Sequence, residues 1–158
     1  MANTQSMCTS FMGELLTATH NFGTAPIRAA TTADTFKGAL YLASATINAS
    51  TTAYSATGEV TGTGYTAGGV TVTNATAPIA TNSSTTAGVA YWTPSASLVY
   101  TTVTLTTAFD TVLIYNSTQS NKAVSVHTFG SQTITAGTFT LTMPSNTTTT
   151  ALLRLATT

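Results

Sequence analysis

The sequence predicts an all-β protein, an antiparallel β-sandwich of jelly-roll type with a short N-terminal α-helix. Three observations predict it. Threonine is by far the commonest residue of the 158, and a β-branched side chain carrying a hydroxyl suits a strand whose outer face meets water or another protein. Short apolar stretches with a period of two follow one another through the chain, separated by turn clusters such as "NSTQSN", "GSQ" and "PSN"; this is the pattern of sandwiches and barrels. A helical period occurs only at the front.

At that front, Met7, Phe11 and Leu15 recur every four residues, and Cys8, Met12 and Leu16 widen the stripe. Asn21 and Gly23 can end the helix. Residues 1–25 are therefore expected to form an N-terminal helical arm, and residues 26–158 the β-sandwich domain. Such an arm either packs on its own core or reaches a neighbouring subunit. The residues leave both open, and Met7, Phe11 and Leu15 are the candidate interface residues on it.

Beyond Pro26 the period changes to two. In "TFKGALYLAS", Phe36, Leu40 and Leu42 share one face while Lys37 and Tyr41 take the other, as in a half-buried strand. "GGVTVTNAT" alternates Val70 and Val72 with threonines, and "AGVAYW" follows a Ser/Thr/Asn loop at Thr81 to Thr86 and ends before Pro94. The remaining strands are "SLVYTTVTLTT", "FDTVLIYN", "KAVSVHTF", "TFTLTM" and "ALLRLA". Val112 to Tyr115 is apolar on both faces, which places it centrally.

Composition excludes several classes of function. Formal net charge is zero and charged residues make up only 5% of the chain, against about 25% in an average protein. With four lysines and arginines in all, the chain lacks a basic footprint for nucleic acid or for a membrane surface. The hydrophobic share of 42% is enough for a core, and the absence of net charge removes the long-range repulsion that keeps copies of a protein apart. The start, "MANTQSMCTSFMGELLTATHNF", lacks the basic segment and continuous apolar run of a secretory signal. Synthesis in a cytoplasm without an export signal of its own is the expectation.

The inventory for chemistry is short: Glu14, Asp34, Glu59, Asp110, His20, His127 and a single cysteine, Cys8. Asp110, His127 and a serine are the residue types of a hydrolase triad, but no G-x-S-x-G elbow surrounds any serine. His127 alternates with Val124 and Val126, which puts it on the opposite strand face as a surface or interface histidine. Cys8, His20 and His127 are too scattered for zinc, and no D-x-D-x-D loop offers calcium a site. No catalytic residue, cofactor or metal is predicted.

"GEVTGTGYTAGG", Gly58 to Gly69, lacks the lysine and following helix of a phosphate-binding loop. It reads as a long connection of flexible backbone, with a brief extended stretch, entering the Val70 strand.

Taken in order, "DTFKGALY", "TTAYSATGEV", "GTGYTAGG", "LIYNS", the Asn-Lys-Ala-Val turn, "TFTLTMP" and "LLRLA" make up a pattern running from about Asp34 to Ala156. It resembles a family of small virion proteins of tailed bacteriophages. The resemblance implies a structural protein of the capsid surface, of the decoration or cement kind, made in the host cytoplasm and located in the virion. Its implied partners are the major capsid protein and other copies of itself, and it brings no catalytic residues; under it, Gly58 to Gly69 becomes a loop that conforms to a neighbour, with Tyr65 as its candidate interface anchor. The same resemblance leaves a tail, neck or fibre position as the alternative.

Overall fold

A computed structural model describes residues 3–8, 11, 15, 19–20, 22, 33–73, 77–81 and 88–156. Eight strands run in chain order: β1 (Ser6–Met7), β2 (Phe36–Leu42), β3 (Val70–Thr71), β4 (Ile79–Ala80), β5 (Val89–Trp92), β6 (Leu98–Asn116), β7 (Lys122–Leu141) and β8 (Leu153–Ala156). They form a five-stranded sheet ordered β1-β7-β6-β2-β3 and a three-stranded sheet ordered β4-β5-β8. Every pairing between these strands is antiparallel.

The architecture is all-β and sandwich-like, but the expected jelly-roll wiring finds no support. A jelly roll exchanges strands between two sheets through Greek-key connections. Here β6 and β7 are one long hairpin, with Leu98 opposite Leu141 at its open end and Asn116 opposite Lys122 at its turn. Two shorter runs, "SLVYTTVTLTT" and "FDTVLIYN", which read as separate strands, are in fact continuous within β6.

The N-terminal helix is not supported either. Met7, the first residue of its apolar stripe, lies in β1, where Ser6 and Met7 pair with Val126 and Ser125. Met12 and Leu16 lie outside the described residues. Of the expected stripe, Phe11 and Leu15 are helical among the described residues; at Met7, pairing to an open strand edge satisfies the backbone and overrides the local period.

The long hairpin folds back over its own sheet because it bends. Its register shifts repeatedly between Tyr100 and Thr111, and Thr102 and Ala136 adopt positive φ, 53° and 48°; such bulges kink a strand and increase its twist. The open end thereby folds back over β2. Tyr100 Oη donates to the Gly38 carbonyl at 2.8 Å, and a Cβ on Gly38 would sit 2.6 Å from Leu98 Cδ1. Glycine at this position lets the two layers close.

Along β6 from Leu98 to Phe109, buried Leu98, Tyr100, Val103, Leu105 and Phe109 are interleaved with exposed threonines. From Val112 to Asn116 every residue is buried, as the doubly apolar run predicts, because β6 lies between β7 and β2 and both sheet faces are covered. The half-buried reading of β2 is corrected at Tyr41, which is fully buried. Residues 43–60 fold across that face: Tyr41 Oη donates to the Ser55 carbonyl at 2.5 Å, and Tyr54 stacks on Tyr115 at 4.7 Å. Coverage by a remote loop leaves no mark on a strand's own periodicity.

An aromatic cluster joins the front of the chain to this core. Phe22 stacks on Phe36 at 4.4 Å and meets Trp92 edge-on at 4.8 Å, while Phe11 lies 4.8 Å from the His20 ring.

Candidate functional site

Gly58 to Gly69 is a built part of the domain. The chain leaves β2, crosses residues 43–57 and returns along the β2 edge, where the Val60 amide donates to the Leu40 carbonyl at 3.0 Å. It then meets the other layer, with Thr63 bridged to Thr104. A Cβ on Gly62 would collide with the Thr104 carbonyl oxygen, and one on Gly69 with that of Gly38. These glycines serve close backbone approach, not flexibility.

Glu59 organises the segment. Its side chain is buried, with Oε2 accepting from Tyr54 Oη at 2.6 Å and Oε1 accepting from Tyr65 Oη at 2.8 Å and from the Gly68 amide at 2.7 Å. Three donors replace the water that a buried carboxylate loses. Tyr115 Oη in turn donates to the Gly68 carbonyl at 2.9 Å. Burial, reinforced by Glu59, pushes the phenols of Tyr41 and Tyr115 up to about 12, and those of Tyr54, Tyr65 and Tyr100 higher. All five stay neutral hydrogen-bond donors at any ordinary pH. Tyr65 therefore directs its hydroxyl into its own domain, and its ring stacks against Tyr100 at 6.0 Å.

A second buried polar group closes the turn end of the hairpin. Asn116 Nδ2 contacts Asp34 Oδ2 at 2.8 Å and His20 Nδ1 at 3.0 Å. Its Oδ1 accepts from the amides of Thr118 and Gln119, both at 3.1 Å, and Gln119 Nε2 reaches Asp34 Oδ1 at 3.0 Å.

The residues of a possible triad have other partners. Asp110 Oδ1 accepts from Asn3 Nδ2 at 2.8 Å and from Thr111 Oγ1 at 2.7 Å. His127 Nε2 lies 2.8 Å from Ser125 Oγ, two residues away on the same face of β7. The surface reading of His127 is corrected. It does face away from Val124 and Val126, but it sits half-buried in the seam beside residues 141–152 rather than on open surface, and desolvation there lowers its imidazole to about 4. Among the described residues no group of three His, Cys, Asp or Glu side chains could hold a metal, and no helix is long and apolar enough to cross a membrane.

Two surface features remain. Met7, Phe11 and Leu15 line one apolar groove with Phe22, Trp92 and Leu153; Phe11 is buried and Met7 and Leu15 pack partly against the core. The second feature is the outer edge of β7 beyond its short pairing with β1. Among the described residues, the strand paired with Phe129 to Leu141 is β6, on one side, and this stretch carries no charged residue. Thr133, Thr135, Thr138 and Thr140 along it are exposed. Local periodicity signalled neither Glu59 nor Asn116. The nearest hint was a single acid in an otherwise uncharged glycine-rich stretch.

Comparison with protein-family models, curated proteins and solved structures returns no match.

Proposed function

We propose that this chain is a non-enzymatic structural protein of a tailed-bacteriophage virion, a capsid decoration or cement protein that binds the major capsid protein and other copies of itself. The jointly ordered motifs from Asp34 to Ala156 suggest the family, and the open edge of β7 is the observation that carries the assembly role. An edge of this length offers unpaired amides and carbonyls to an added strand. Proteins that must stay apart blunt such edges with lysine, proline or inward charges. Between Phe129 and Leu141 there is none of these; the bulges of this stretch, which also shape an edge, leave Phe139 to Leu141 in regular pairing with Tyr100 to Leu98. Hydroxyls here can form many short hydrogen bonds across an interface without burying ions.

The test is to add purified protein to phage heads stripped of it. Thr133→Lys combined with Thr135→Lys should lower head occupancy by about tenfold or more, with the midpoint of thermal unfolding unchanged because both positions are exposed. Full occupancy by the double variant, or binding of the parent protein to tails and not to heads, would overturn the decoration reading.

A further inference from the structure

Residues 142–156 leave the end of β7, turn at Ser145 to Thr150 and cross the inner face of the large sheet before forming β8. This strap is held by the pairing of β8 with β5 and by the Leu152 amide donating to Thr93 Oγ1 at 2.9 Å. His127 lies in the seam beneath it. Its side chain lines two neighbouring cavities, one bounded by Met143, Pro144 and Leu152, the other by Ala151, Leu153 and Arg154.

The surroundings of His127 are poor in countercharge. From the strap, Arg154 is the one charged group lining either cavity, and it is a cation. From β1 and the residues before it come Gln5, Ser6 and Met7; from β6 come Val112 and Ile114; from β7 itself come Ser125 and Thr128. Asp110, the acid carried by β6, is engaged by Asn3 and Thr111. Arg154 is exposed and donates to the Thr149 carbonyl at 2.8 Å, so a proton arriving on His127 would place a cation among methyl groups and hydroxyls with no carboxylate among the residues that line either cavity.

We infer that His127 is an acid-sensitive latch: its neutral form permits the strap to close on the large sheet, and its protonation releases residues 142–156, and with them β8, while the β2–β6–β7 core stays folded. The sign follows from burial, which disfavours the charged imidazole. A histidine depressed in the folded state contributes stability in full above its unfolded value near 6.5, and loses it as pH falls toward about 4. This device is independent of the partner the protein binds.

Hydrogen exchange read by mass spectrometry, corrected for the intrinsic pH dependence of exchange, tests it. Between pH of about 7 and about 4, opening of residues 142–156 should increase by roughly tenfold to a hundredfold, while Phe36–Leu42 stays protected. His127→Gln keeps a hydrogen-bonding side chain beside Ser125 but takes up no proton, and should abolish the acid response of the strap. The same response in His127→Gln, or equal loss of protection in strap and core, would overturn the latch. Should that variant fail to fold, NMR titration of the His127 ring in the parent protein decides the matter: a midpoint near 6.5 with the fold intact refutes the inference, and one near 4 coinciding with loss of strap protection supports it.

Discussion

The Tyr65 hydroxyl lies 2.8 Å from Glu59 Oε1 and 3.0 Å from the amide nitrogen of Leu40. One phenol thus donates to a buried carboxylate and accepts from the open edge of β2, tying the glycine-rich segment to the sheet. Tyr65→Phe removes both bonds and leaves the shape unchanged. It should destabilise the isolated protein by about 1–3 kcal/mol, the cost of leaving buried polar groups unpaired. Urea unfolding with an unchanged slope measures it; a loss below about 0.5 kcal/mol would mean that water replaces the hydroxyl.

The ring of phenols around Glu59 makes alkaline stability a second readout. A tyrosine whose folded value is raised contributes stability that is complete below its unfolded value of about 10 and disappears as pH climbs through the folded value. For Tyr41 and Tyr115, pushed up to about 12, the window is pH 10 to 12. Ultraviolet titration of tyrosinate should show folded protein with most phenols still protonated at pH about 11, followed by ionisation together with unfolding. Ionisation near 10 without unfolding would show that the cluster is open to solvent.

Gly62 and Gly130 predict opposite outcomes for the same substitution. Gly62→Ala drives a methyl group into the Thr104 carbonyl, whereas the nearest atom to a new Cβ on Gly130 is the flexible Gln132 Nε2 at 4.0 Å. The first should cost about 1–3 kcal/mol or more, as in overpacked cores, and the second less than about 0.5 kcal/mol. Thermal unfolding of the two variants side by side checks this, and equal midpoints would remove the close-approach explanation for the glycines.

Asn116 has no accessible surface and joins Asp34, His20 and the hairpin turn. Asn116→Ala leaves the carboxylate, the imidazole and two turn amides each short of a partner. A loss of about 2–4 kcal/mol is expected. Asn116→Asp should also destabilise near neutral pH, because it sets a second carboxyl against Asp34. Wild-type unfolding midpoints in both variants would show that the contacts are replaceable by water.

Local sequence was enough to determine the all-β class, the central burial of Val112 to Tyr115 and the positions of most strands. Each depends on a period of two or on β-branched composition, properties carried by neighbouring residues. What lay beyond it were relationships between distant residues. The continuity of β6 through its bend replaces two expected strands by one, and the covering of Tyr41 by residues 43–60 buries both faces of β2 from Gly38 to Tyr41. Met7 joins a sheet edge in spite of its helical spacing from Phe11 and Leu15. The glycines from Gly58 to Gly69 carry the same four-atom backbone whether a loop is free or pressed between two layers. Only the approach of Thr104 and Gly38, remote in the chain, made them structural, and only burial turned Glu59, one acid among hydroxyls, into the point on which three donors converge. Backbone periodicity is a local property of the chain; bending, coverage and burial arise when separate segments compete for the same apolar surface and the same hydrogen-bond partners, and that competition is settled only in the folded molecule.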